Sequence, residues 1–359
     1  MTKQEYLNQL QQALAFLDDE ARDAAVDFYT EMLEDRLENC PNEAQAVAEM
    51  ETADSIAARL RAENARREAP VSDKDSAKGE YEKKTLSCPA AALTAIRLRA
   101  QNKPIIINPC EGDAVTLTYY TNRYDPYTAG VEDGVLYLRP EKSSEGGALR
   151  TFGFHFSLFG FSFSQESMDV TLSMPKDLLV DLTAETSNDG VELAGFTALC
   201  DVTLRSSNAR IDVRNVECKS LLAKTSNSRV ILESLHGRRF VSGETSNARL
   251  CASQVRSDGD LTLTTSNARV EAQQAHAAGK VTIRSSNGSL RVEDVNGAAV
   301  SLRTSNAAIS GTLPGAMRDW AIESKTSNGH NSLPKSQPGE KPLEVQTSNA
   351  GIKLGFAQQ

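Results

Sequence analysis

Four arginines recur at nearly constant intervals: Arg210, Arg229, Arg249 and Arg269. Each follows an asparagine by two residues. Guanidinium groups held in register offer forked donors to carboxylate, phosphate or sulfate, and they repel one another unless their planes stack or an anion lies across them. The chemistry this spacing suits is binding of a polyanion: an acidic glycan, a nucleic acid or an acidic protein segment. The competing reading is a solvated arginine row that keeps the surface soluble, with Asp212 and Glu271 neutralising part of it. A second cationic set, Arg205, Lys224, Arg284, Arg303 and Lys325, is interrupted by Glu244 and Thr264.

Catalytic chemistry finds less material. Cleavage of polysaccharides needs clustered carboxylates, and no acidic cluster recurs on one face. His155, His236, His276 and His330 are isolated, without metal-ligand spacing. The many serines have no accompanying histidine pattern. No phosphate loop or dinucleotide fingerprint is present. The sequence therefore reads as that of a non-enzyme, with no catalytic, cofactor or metal site.

The elements that position the arginines come from a repeat. A Thr/Ser-Ser-Asn tripeptide ends at Asn188, Asn208, Asn227, Asn247, Asn267, Asn287, Asn306, Asn328 and Asn349, at intervals of 19 to 22 residues. A fixed period of this size marks a solenoid. Apolar residues stand three and five places after each asparagine, as in Val230 and Leu232. They return two and four places before the next tripeptide, as in Leu261 and Leu263. Spacing of two means a strand with one buried face. A third apolar position, occupied by Phe196, Val216, Leu235, Val255, Ala275 and Val295, is expected to fill a corner of the core. The expected fold is mainly β: a single-stranded β-helix with ~20-residue coils. Its nine coils, stacked at about 4.8 Å, make a rod of roughly 40 Å.

The tripeptide is expected at the corner between strands. Asparagine tolerates left-handed backbone, and Ser, Thr and Asn bond to nearby backbone. Stacked corners would form a ladder in which each amide pairs with the one above and below. The asparagines thus have two readings, a structural ladder or a ligand-binding row.

Residues 1–69 read as a small helical module, with stripes at Tyr6, Leu7, Leu10, Leu14 and Leu17 and at Ala25, Phe28, Tyr29, Met32, Leu33 and Leu37. Shorter helices carry Val47 and Met50, then Ile56 and Leu60. The net charge of −9 sits here: residues 1–70 hold 16 Asp/Glu against 7 Lys/Arg, and the rest balances at 32 of each. The acidic face Asp23, Asp27, Glu31, Glu34, Asp35 and Glu38 is either a solvated face or a docking surface for a basic partner. Nothing suggests general nucleic-acid binding. Residues 70–85 read as a linker. Residues 86–183 show strand signals without the tripeptide and read as an irregular cap, with the solenoid proper at 184–359. The cap contains an aromatic run, 152–163, that reads as a lid over the core or as an interaction patch. The last strand, Gly351–Leu354, leaves little capping material, so stacking of two molecules end to end is a further expectation. The six cysteines are scattered, the N-terminus leads into a polar helix, and no run is long enough to span a membrane. Reduced thiols in the cytoplasm are the simplest reading.

Two resemblances add to these readings. Phe16-Leu17-Asp18-Asp19-Glu20, Phe28-Tyr29-Thr30-Glu31-Met32-Leu33-Glu34-Asp35, and Val47-Ala48-Glu49-Met50 before Asp54-Ser55-Ile56-Ala57 resemble the bacterial HAAS-type helical domain. Met50-Glu51-Thr52-Ala53 stands where that family has Leu-Gly-x-Pro. The resemblance implies a signalling or adaptor module whose partner is a transcription regulator or a membrane protein. The nine corners and their strand positions make residues 86–359 similar to the bacterial "putative adhesin" β-strand-repeat family, which implies a right-handed β-helix. Together they suggest an intracellular scaffold; the alternative is a cell-surface adhesin or polyanion-binding protein.

Overall fold

The computed structural model describes residues 1–16, 22, 26, 29, 33, 42–48, 50–58, 61, 81–141 and 168–357. They fall into two compact units, one helical and one built of strands. The acidic face of the module, the polar stretch 70–80 and the aromatic run 152–163 lie outside the described residues.

In the helical unit α1 (Lys3–Ala13) opens with a reciprocal cap. Thr2 Oγ1 accepts from the Glu5 amide at 3.2 Å, and Glu5 Oε2 accepts from the Thr2 amide at 2.8 Å. Helical spacing puts Tyr6, Leu10 and Leu14 on one buried face, packed with Tyr29, Leu33, Val47, Met50 and Ile56. Tyr6 keeps its hydroxyl satisfied by donating to the Glu51 carbonyl at 2.8 Å. The helix α2 (Glu43–Ala48) contributes Ala46 and Val47 to this core.

The strand unit is a β-solenoid whose strands stack in two parallel columns. One column, ahead of the corners, contains β8 (Asp181–Glu185), β10 (Leu199–Arg205), the ends of β11 (Ile211–Lys224) and β12 (Val230–Glu244), β14 (Asp260–Thr264), β16 (Lys280–Arg284) and β18 (Ala299–Arg303). The other, after the corners, contains β9 (Val191–Ala194), the beginnings of β11 and β12, then β13 (Leu250–Ser257), β15 (Val270–Ala277), β17 (Leu290–Asn296) and β19 (Ile309–Pro314). Equivalent side chains superpose, so Val230, Leu250, Val270, Leu290 and Ile309 form one aliphatic row, each fully buried. Each such burial contributes roughly 1.5–3 kcal/mol.

Left-handed backbone does not occur at the tripeptide, contrary to expectation. It falls seven residues later, at Gly195, Asn215, Ser234, Gln254, Gln274 and Asp294, with φ near +50° in all but the glycine. Each stands immediately before the third apolar position, and Phe196, Val216, Leu235, Val255, Ala275 and Val295 are all buried. The reason is alternation. Val213 and Val216 are three apart and could not both face inward on a regular strand, and the inserted left-handed residue lets both do so.

Rung order departs from chain order at both ends. Near the N-terminus β2 (Ala95–Arg99) and β3 (Ile105–Cys110) form a rung beside β8 and β9. The chain then makes the outermost rung, β6 (Val135–Pro140) and β7 (Val170–Pro175), before returning to β8 on the other side. Antiparallel strands extend this end: β5 (Tyr127–Glu132) on β6, β4 (Ala114–Thr121) on β7, and β1 (Glu82–Pro89) on β4. β1 begins inside the stretch read as linker. At the C-terminus β20 (Trp320–Lys325) skips a rung, and β22 (Lys341–Gln346) and β23 (Ile352–Ala357) come back to fill it, against β18 and β19. The short antiparallel β21 (Ser336–Gln337) covers β20, flanked by Pro334 and Pro338. A short pairing bounded by prolines blunts a sheet edge.

Candidate functional site

Each Thr/Ser-Ser-Asn corner makes three kinds of bond to the neighbouring rung. The first residue turns its hydroxyl inward and donates to the carbonyl just after the neighbouring asparagine. Thr225 donates to the Ala209 carbonyl at 3.0 Å, Thr245 to Ser228 at 2.9 Å and Thr347 to Ala307 at 2.9 Å. That carbonyl lies in a partly buried bend, where a missing partner is costly. The middle serine's carbonyl accepts from two amides of the next rung, as Ser246 does from Ser266 at 3.1 Å and Asn267 at 2.9 Å. The asparagine amides then chain together: Asn227 Nδ2 donates to Asn208 Oδ1, Asn247 to Asn227, Asn267 to Asn247 and Asn287 to Asn267, all at 2.7 Å. Asn208 bonds Asn188 at 2.6 Å, and Asn306 bonds Asn287 at 2.7 Å.

The ladder is longer than the tripeptide shows, and its order differs from the chain's. Asn188 donates onward to Asn102 Oδ1. Asn102 stands in Gln101-Asn102-Lys103, outside the motif, and so escapes a search by tripeptide. Its φ of +54° marks a differently shaped corner. At the other end Asn349 Nδ2 donates to Asn306 Oδ1 at 2.6 Å, and Asn328 Nδ2 donates to Asn349 Oδ1 at 2.8 Å. Each interior asparagine is exposed, and its amide retains one N–H and one lone pair for solvent.

The arginines two residues beyond the ladder differ in exposure, and the side chain of Arg210 is 42% exposed. The side chains of Arg249 and Arg269 are only 13% and 7% exposed, and they converge on Glu271 at 3.8 and 3.1 Å. Arg269 Nε also donates to Ser289 Oγ at 3.2 Å. Arg210 is paired with Glu192 at 2.9 Å. Stacking superposes Glu192 on Asp212 and Glu271 on Arg291, so carboxylates recur on the rows beside the arginines. Arg229 holds its place between Arg210 and Arg249, with its carbonyl accepting from the Ile211 amide. In the second cationic set Lys224 bonds Glu244 at 2.7 Å, and Arg303 pairs with Glu344.

Titratable groups near the far corner are shifted, Asp201 and Cys218 among them. Ser220 Oγ donates to Asp201, and with Lys219 beside it this holds the Asp201 carboxyl below its usual range. Burial pushes the Cys218 thiol up to about 12. In the cap the Lys103 ammonium is nearly buried. It pairs with Asp125 at 2.8 Å, donates to the Tyr120 carbonyl at 2.5 Å and lies 4.5 and 5.0 Å from the ring centres of Tyr127 and Tyr81. Tyr127 also holds the Gln101 amide on its hydroxyl at 2.9 Å, so the cap grips the first corner directly. Sequence reasoning missed this contact because its members are distant in the chain and follow no repeat.

Superposed coils, a polar ladder along one corner and internally paired charges define a β-solenoid of repeat type. The chain belongs to the Toastrack DUF4097 family, whose model matches residues 93–355, and a HAAS model matches residues 5–59. Solved structures similar to this chain include a "putative adhesin" from Parabacteroides merdae ATCC 43184, at 11% identity and TM-score 0.41, covering 77% of this chain and 97% of that one. Another is a "putative adhesin" from Bacteroides fragilis NCTC 9343, at 10% identity and TM-score 0.34, covering 77% and 98%. A "putative cell adhesion protein" from Clostridium sporogenes ATCC 15579 has 8% identity and TM-score 0.18 over 78% and 100%. No curated protein matches the chain.

Proposed function

We propose that this protein is a non-enzymatic interaction scaffold, in which a HAAS-type helical module recruits a protein partner and the solenoid serves as a rigid body. The observation that supports this reading is the use of the repeated polar groups. At every Thr/Ser-Ser-Asn corner the hydroxyl and the amide hold the adjacent rung, and Arg210, Arg249 and Arg269 are engaged with carboxylates of their own rod. A surface so consumed in its own assembly suits mechanical and spatial roles. Charge marks the other unit: its excess of Asp and Glu fits a partner with a basic face, such as a transcription regulator or the cytoplasmic part of a membrane protein.

The test is capture from cells that express the full chain, compared with a variant in which Asp23, Asp27, Glu31, Glu34, Asp35 and Glu38 become amides. A partner held by the first and released by the second, with salt sensitivity, is expected. Equal capture by both would contradict the acidic docking role. Treating intact cells with protease decides the compartment. Protection accords with an intracellular scaffold, and digestion would replace it with the surface-adhesin reading.

A further inference from the structure

One face of the solenoid is dented where its rungs change order. An open groove of about 520 Å³ lies over Arg291, Ser310, Gly311, Thr312, Ser332, Lys353, Leu354 and Gly355. Four of these hold one repeat position, four residues beyond the ladder asparagine: Arg291, Ser310, Lys353 and Ser332. Arg291 stacks on Ser310 and Ser310 on Lys353. The exchange of the last two rungs puts Lys353 two rungs from Arg291. In chain order it would be three rungs away, at roughly 14 instead of roughly 10 Å.

Two glycines line the groove. Gly311 occupies the core position that other rungs fill with Val213, Leu232 or Val292. Its φ is +132°, and a Cβ there would overlap the Val292 carbonyl. Gly355 lies beside Thr312 in the next rung and presents no side chain. At Gly355 the floor carries no side chain, and Arg291 and Lys353 belong to the lining.

Register places Glu271 beside Arg291 and Glu293 beside Thr312. Among the described residues neither Arg291 nor Lys353 forms an ion pair, and both are exposed. Ser310 and Thr312 add hydroxyls that hold no hydrogen bond among the described residues. The Ser332 hydroxyl is occupied, since it donates to the Leu354 carbonyl at 3.2 Å and accepts the Leu354 amide at 3.1 Å.

We infer that this groove binds a tetrahedral oxyanion, phosphoryl or sulfo, either free or carried on a sugar. A forked guanidinium on one side, an ammonium on the other and two hydroxyls between them suit a compact anion with several acceptor oxygens. Because Lys353 belongs to the inserted C-terminal rung, bound anion would tie β23 to β17 across β19 and slow opening of that end.

Calorimetric titration of the full chain tests this, with inorganic phosphate, glucose 6-phosphate and galactose 6-sulfate as probes. Arg291→Gln and Lys353→Gln remove exposed charges and leave the core unaltered, and Arg284→Gln is the control for net charge. Saturable binding of a probe, weakened about tenfold or more by each groove variant and kept by the control, is expected. The tightest probe identifies the source of the anion. Hydrogen exchange over 341–357 is expected to slow with that probe in the wild type alone. No saturable binding up to about 10 mM, or equal weakening in the control, would overturn the inference.

Discussion

Asn349 donates its side-chain amide to Asn306, 43 residues earlier, while Asn328, which lies between them in the chain, caps Asn349 from the far side. The ladder is thus ordered by space and not by sequence at its C-terminal end. The long intervals around Asn328 follow from this, because the chain must climb past an empty rung and return. The inserted rung is paired on both sides, and β20, the outermost strand of its column, carries the β21 cover.

The two polar members of a corner are expected to differ in weight. Thr225 is 1% exposed, and Thr225→Val keeps its shape while orphaning the Ala209 carbonyl, for a loss of about 1–3 kcal/mol. Asn267→Ala breaks two amide bonds in the open, where water replaces them, for about 1 kcal/mol. Urea midpoints rank the two. A larger loss from Asn267→Ala would place the stability of the corner in the exposed ladder.

How much was legible follows from where the periodicity holds. The strands, their inward residues and the third apolar position could be read because one physical demand repeats every coil. Asn102 could not, because its corner lacks the flanking Thr and Ser. The left-handed residues could not either, since Asn, Ser, Gln and Asp share that position with no common chemistry except tolerance of the bend. The exchanged rungs left only a trace, the intervals of 22 and 21 residues. The arginine spacing was plain in the sequence. Its pairing with Glu192 and Glu271 depends on cross-rung register, which spacing alone does not supply.

The cap should respond to its buried charge. Lys103→Met leaves Asp125 and the Tyr120 carbonyl without their cation, for an expected loss of about 2–4 kcal/mol, somewhat reduced by the partial exposure of Asp125. Adding Asp125→Asn should recover part of it. Denaturation of the single and double variants measures the coupling. Identical midpoints for Lys103→Met and wild type would show that the cap does not depend on the pair.

Reactivity of the thiols gives a third check. With its pKa near 12 and its side chain buried, Cys218 is expected to stay unmodified by iodoacetamide at pH 8 in the folded protein and to react on unfolding. The partly buried Cys88, Cys110, Cys200 and Cys251 should react before it. Peptide mass mapping against time reads both. Early alkylation of Cys218 would place it outside the core.

Acid sensitivity has a definite sign. The Asp201 carboxyl is lowered by Ser220 and Lys219, so its contribution is full above the unfolded carboxyl range near 4 and is lost as pH falls through the folded value. Ser220→Ala removes the largest cause. The variant should therefore lose stability at pH 7 and match wild type more closely near pH 2. A constant difference across that range would contradict the linkage.

The most direct measurement of the rung order is disulfide trapping. Adjacent rungs lie about 4.8 Å apart, within reach of a disulfide, and rungs one further away at roughly 10 Å are beyond it. Ser348 donates its amide to the Ser305 carbonyl at 3.0 Å, and Ser327 bonds Ser348 in turn. On mild oxidation the pair Ser305→Cys with Ser348→Cys is expected to cross-link, and the pair Ser305→Cys with Ser327→Cys is expected to stay reduced. Cross-linking of the second pair and not the first would return the coils to chain order and contradict the account.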